Sequence, residues 1–162
     1  MAFVLVSALT ACGLGGLSNP KPSIDMEDHS FRLSGVDITA KIPTEGWVTG
    51  WRLTMYFFYN VATQEDISVT TPYVSITIKP STADFDKDLL EDGATQVTAI
   101  GTKVIDGIKM TGRTYNRAGL GYYTEYIGVL DGTHAVCIKV HNIDSQNDVV
   151  QAIINSLHFA VA

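Results

Sequence analysis

Residues 97–141, VTAIGTKVIDGIKMTGRTYNRAGLGYYTEYIGVLDGTHAVCIKVH, decide the fold. Asp106-Gly107 and Asp131-Gly132 each stand between runs in which apolar and polar residues alternate. An Asp-Gly pair in that setting makes a tight hairpin, because both residue types tolerate the positive φ that such turns need. Between the two hairpins, residues 116–121 (NRAGLG) supply a third turn. The reading is four consecutive antiparallel strands, over about 97–105, 108–115, 121–130 and 134–141.

On the N-terminal side of this meander, Tyr73 to Lys79 alternates cleanly and Pro80 stops it. Val74, Ile76 and Ile78 are expected to face the core, with Ser75, Thr77 and Lys79 pointing away. Residues 51–59 (WRLTMYFFY) predict one central strand that is apolar on both faces in its second half. Residues 31–42 predict another, with Val36, Ile38, Ala40 and Ile42 on one face, before a turn at 43–47. Phe85, Leu89 and Leu90 lie at helical spacing after a cap at Ser81 or Thr82, with Asp84 at the positive end of the helix dipole. Val149, Val150, Ile153, Ile154 and Leu157 form the apolar stripe of a last helix capped by Asp144 or Ser145. Phe159 and Val161 are read as packing after it. Helices beside an antiparallel sheet define an α+β domain.

The 162 residues fit one domain, 46% hydrophobic and 17% charged. Eleven Lys and Arg against 17 Asp and Glu give a formal charge of −6. An acidic chain without a basic patch offers nothing to nucleic acid or to an anionic membrane surface. Two cysteines exclude a disulfide scaffold and a four-thiolate zinc site.

Residues 1–11 (MAFVLVSALTA) carry no charged side chain. As a helix they span about 16 Å, too little for a hydrocarbon core of about 30 Å. They read as the hydrophobic part of a secretory signal, although no Lys or Arg precedes them. Leu9-Thr10-Ala11-Cys12 resembles the bacterial lipobox, which implies diacylglycerol on the Cys12 thiol and Cys12 as the mature N-terminus. Residues 12–30 then read as the lipidated cysteine and a flexible tether, with no sustained period of 2 or 3.6. Residues 31–162 are the single α+β domain.

The element order, with Ile42-Pro43 followed by Glu45-Gly46-Trp47 and the ending Ser156-Leu157-His158-Phe159, resembles the PsbP-like superfamily, in particular its bacterial lipoproteins. The resemblance covers roughly residues 31–160. It implies an antiparallel β-sheet flanked by helices and an accessory or assembly role rather than catalysis. Trp47 and Phe159 are core anchors on this reading, and the motifs carry over no functional residue.

His29, His134, His141 and His158 form no HExxH and no helical pair, so no metal site is expected. His134 shares its parity with Val136 and Ile138, His141 with Cys137 and Lys139, so the two face opposite ways. Cys137 and His141 lie about 13 Å apart along a strand, too far for proton transfer. Cys137 is therefore read as a small buried hydrophobe on the helix-covered face. No GxSxG elbow or phosphate loop occurs, and no cofactor is expected. Asp84, Asp86 and Asp88 alternate, but a calcium loop starting at Asp84 would need glycine where Leu89 stands.

The candidate binding patch is aromatic. Tyr115, Tyr122, Tyr123 and Tyr126 cluster about Gly119-Leu120-Gly121 with Arg113 and Arg117, the residue types of interface hot spots. Tyr123 shares a strand face with Glu125, and Tyr122 shares the opposite face with Tyr126. The expected function is a non-catalytic extracytoplasmic lipoprotein. It would be anchored to a bacterial membrane by lipid alone, and would bind an envelope protein or a small ligand. The alternatives are an extracytoplasmic enzyme, a hydrolase for instance, and a structural envelope component.

Overall fold

The computed structural model describes residues 23–161, so Cys12 and the segment before it lie outside the described residues. Two antiparallel sheets and two helices make three layers. β1 (Met26–Leu33), β2 (Val36–Pro43) and β10 (His158–Val161) form a small sheet with β2 in the middle. β3 (Val48–Arg52), β4 (Met55–Tyr59), β5 (Tyr73–Pro80), β6 (Ala94–Ile105), β7 (Ile108–Arg117), β8 (Gly121–Val129) and β9 (His134–His141) form a large one. Its strand order is β3-β4-β5-β9-β8-β7-β6. The fold is thus α+β, an antiparallel sheet flanked by helices. The meander read from residues 97–141 is its β6 to β9 half.

The main core lies between the large sheet and a layer made of the small sheet and α2 (Asp148–Asn155). Val74, Ile76 and Ile78 of β5 and Val136, Ile138 and Val140 of β9 face it, as their parity requires. Val36, Ile38, Ala40 and Ile42 close it from β2, and Val150, Ile153 and Ile154 from α2. The opposite face of the large sheet carries α1 (Phe85–Glu91) and the 60–72 loop. It too is largely closed: Ser75 and Thr77, which point away from the main core as expected, are 1% and 5% exposed.

Five local expectations are corrected. Residues 31–42 hold the end of one strand and most of the next, because Ser34 and Gly35 take positive φ (48° and 87°) and turn the chain. β1 starts at Met26, inside the segment read as tether, since its register with β2 runs from Met26↔Pro43 to Leu33↔Val36. Residues 51–59 likewise contain a turn: Arg52 pairs with Met55 around Leu53-Thr54. The helix caps are Asp84, which accepts from Lys87 N, and Asn147, which accepts from Val149 N and Val150 N. Phe159 packs into the main core as expected, but from a tenth strand paired to β2 by Phe159↔Ile38 and Val161↔Val36, in which Val161 is exposed rather than packed.

Candidate functional site

The α1-bearing face of the large sheet collects the chemistry. Cross-strand register places Tyr59, Tyr73, His141, Tyr123 and Tyr115 opposite one another on β4, β5, β9, β8 and β7. Their rings form one continuous row. Centroid separations are 5.9 Å for Tyr59–Tyr73, 4.6 Å for Tyr73–His141, 4.5 Å for His141–Tyr123 and 5.0 Å for Tyr123–Tyr115. Such pairs add cohesion beyond the area they bury. Burial pushes the Tyr73 and Tyr115 hydroxyls well above the ordinary phenol range.

His141 is fully buried at the centre of the row. Its Nδ1 lies 3.1 Å from the Thr71 carbonyl and its Nε2 lies 2.8 Å from the Leu120 carbonyl. The ring thereby fastens the 60–72 loop and the β7–β8 turn to the same strand. Carbonyls only accept, so a neutral imidazole can donate to one of the two and an imidazolium to both. Asn142 repeats the fastening: its amide donates to Thr70 O and Leu120 O while its side-chain oxygen accepts from Tyr122 N.

Two residues along each strand, the row becomes ionic. Glu125, 2% exposed, receives Arg113 Nε at 2.6 Å, Lys139 Nζ at 3.4 Å and the Cys137 thiol at 3.1 Å. Arg113 also donates to Phe85 O at 2.9 Å and pairs with Asp86, so the first turn of α1 is held to β7. Lys79 pairs with Asp88 one turn further on. Burial, reinforced by the Glu125 charge, pushes the Cys137 thiol far above its usual range. A thiol held protonated in that way is no nucleophile.

Beyond the aromatic row the face opens into a cleft of about 300 Å³. Phe57, Tyr59, Tyr73 and Tyr123 floor it, Val69 of the 60–72 loop forms one wall, and Arg52 and Arg117 stand at its rim. Arg117 lies over the Tyr123 ring at 5.9 Å and is steadied by Asp92 O at 2.9 Å. Arg52 reaches the Tyr59 hydroxyl electrostatically, tempering the rise that burial causes there. Aromatic faces with guanidinium groups beside them suit a flat or apolar group that carries a negative charge. A larger depression of about 620 Å³ lies on the other flank of α1, over Ile127, Val129 and Ala135. Its arginine, Arg113, is engaged by Glu125 and Asp86, whereas the smaller cleft sets Arg52 and Arg117, the latter paired with Asp92 at 3.6 Å, beside aromatic rings.

The six residues of the predicted patch do not form one surface. Arg117 and Tyr123 line the cleft, and Tyr115 continues its floor inward, buried at 1% exposure. Arg113 belongs to the buried ion cluster. Tyr122 and Tyr126 take the opposite face, Tyr126 in the main core beneath Lys103 and Tyr122 exposed. Arg52, Phe57, Tyr59, Tyr73 and His141 were not anticipated there. Their signal is the shared parity of aromatic residues on β4, β5 and β9, which becomes readable only once the strand order is known. Among the described residues no group of three or more His, Cys, Asp or Glu could hold a metal ion. Likewise no described helix is long and apolar enough to cross a membrane.

The class that this architecture defines is an α+β domain with one large antiparallel sheet between a helix-and-sheet layer and a short helix. No protein-family model matches the chain, nor does any curated protein. Among solved structures the chain is similar to cyanobacterial PsbP from Synechocystis, at 14% identity and a TM-score of 0.47. That match covers 91% of this chain and 99% of that one. It is also similar to a protein from Bacteroides thetaiotaomicron, at 16% identity and a TM-score of 0.43 over 76% of this chain. The chain spans 45% of that protein's length. Neither likeness bears on ligand, partner or activity.

Proposed function

We propose that the chain is an extracytoplasmic binding module, tethered to a membrane by lipid on Cys12, with the Arg52–Arg117 cleft as its ligand surface. The observation that carries the reading is the division of labour on the α1 face. Glu125, Arg113, Lys139, Asp86, Lys79 and Asp88 neutralise one another in the closed half of the face, while Arg52 and Arg117, the latter also paired with Asp92 at 3.6 Å, stand at the rim of a largely buried aromatic floor. The ligand is a small molecule or peptide end with an apolar or aromatic group beside a carboxylate or similar anion. Glu125 and His141 are committed to internal bonds and Asp92 is paired with Arg117, which favours binding over catalysis.

N-acetyl-phenylalanine serves as the probe, with its neutral methylamide as control. Titration into isotope-labelled protein is expected to shift backbone signals of Tyr59, Tyr73 and Tyr123. The methylamide, or the Arg52→Ala/Arg117→Ala protein, should bind about tenfold more weakly, since charge-assisted hydrogen bonds contribute about 1.5–3 kcal/mol. Equal shifts from both probes, or none from either, would remove the cleft from this role. For the anchor, the intact mass of protein from a membrane fraction is compared with and without globomycin. An acylated species starting at Cys12 is expected, and an unmodified chain retaining Met1 would refute it.

A further inference from the structure

The β3–β4 turn is built against ordinary turn chemistry. Leu53 is the first residue of a two-residue loop, has φ 57° and is 90% exposed. Glycine is the usual occupant of such a position, because a Cβ is strained there and a large apolar side chain gains nothing from water. Trp51, two residues earlier, is 57% exposed although its ring edge meets Phe31 and Tyr56. The result is a projecting turn, a tip on which Trp51 and Leu53 are exposed, with Arg52 between them in sequence.

We infer that this tip enters the headgroup–acyl boundary of a lipid bilayer. Tryptophan and leucine with a long cationic side chain is the composition of interfacial anchors, in which the ring sits at headgroup depth and the arginine reaches back to water. With a formal charge of −6 the body of the protein is repelled by an anionic surface, so the contact is apolar and belongs to zwitterionic lipid. The inference rests on the proposed Cys12 anchor for bringing the bilayer within reach. Residues 13–22 span at most about 35 Å when extended, and β1 carries the chain from Met26 to Phe31, beside Trp51.

The test uses the full-length protein with phosphatidylcholine vesicles whose acyl chains are brominated near the headgroup. Trp51 fluorescence is taken as the difference between the protein and its Trp51→Phe variant. Trp51 is expected to shift to the blue and to be quenched. Leu53→Gly removes the side chain and relaxes the backbone, so it should fold at least as well while lowering the tip's partition ratio about tenfold. Unquenched Trp51, or equal quenching in Leu53→Gly, would overturn the inference and leave the tip as a contact for protein. The mass measurement is independent of both results. Quenching without acylation would uphold the tip and sink the anchor, and acylation without quenching would do the reverse.

Discussion

Glu125 is the residue on which the α1 face depends. It is buried, and its carboxylate accepts from Arg113, Lys139 and Cys137 at once. Glu125→Ala would leave two cations without their anion in a nearly closed space, a loss that costs about 3–5 kcal/mol. Urea unfolding should report it as a lower midpoint, with Glu125→Gln falling between that variant and the parent. The buried hydroxyls and thiol make a second residue-scale prediction. Cys137, Tyr73 and Tyr115 keep their protons in the fold well above the ordinary range, chiefly through burial. The unfolded chain releases them near pH 8.5 for the thiol and about 10 for the phenols. Native protein therefore holds more protons than unfolded protein in alkali, and stability must fall as pH rises through that window. Urea midpoints measured from pH 7 to 11 should stay level and then decline beyond about pH 8.5. A Cys137→Ala variant should delay the onset.

At the scale of elements, His141 and Asn142 are where loop and sheet meet. His141→Phe keeps a ring in the aromatic row but strands the Thr71 carbonyl, a buried acceptor costing about 1–3 kcal/mol, and leaves Leu120 O with its bond from Asn142 alone. Hydrogen exchange should then quicken at residues 67–72 and 118–121 while α2 keeps its protection. Unchanged exchange in those segments would mean that Asn142 alone secures them. Much of the strand architecture was legible beforehand because alternation reports a half-buried strand directly, as in Val74, Ile76 and Ile78, and because Asp-Gly marks a hairpin. The turn at Leu53-Thr54 was not, since leucine in a left-handed conformation breaks the rule by which turns are found. β10 was equally hidden, its four residues pairing with a strand more than a hundred positions away. The site suffered from the same gap. Tyr73 and His141 come together only through the β5–β9 pairing, a long-range fact that no local pattern contains. Tyr123 and Arg117 were within reach of the sequence because they flank a single turn.

For the whole molecule, the two faces of the large sheet divide the work. One side is an apolar core closed by α2 and the small sheet, and the other holds ions, rings and the cleft. The Arg52–Arg117 cleft and the Trp51–Leu53 tip adjoin at the β3 edge, so a ligand would be met next to the surface on which the tip rests. The small sheet has a further bearing, on how the protein is made. Its middle strand, β2, is zipped on one side by the first strand of the domain and on the other by the last. β1 and β2 are synthesised more than a hundred residues before Leu157 and Phe159, which complete the core around them. The core about β2 therefore closes only after the segment that carries β10 has been made, and until then the edge of β2 on that side has no partner.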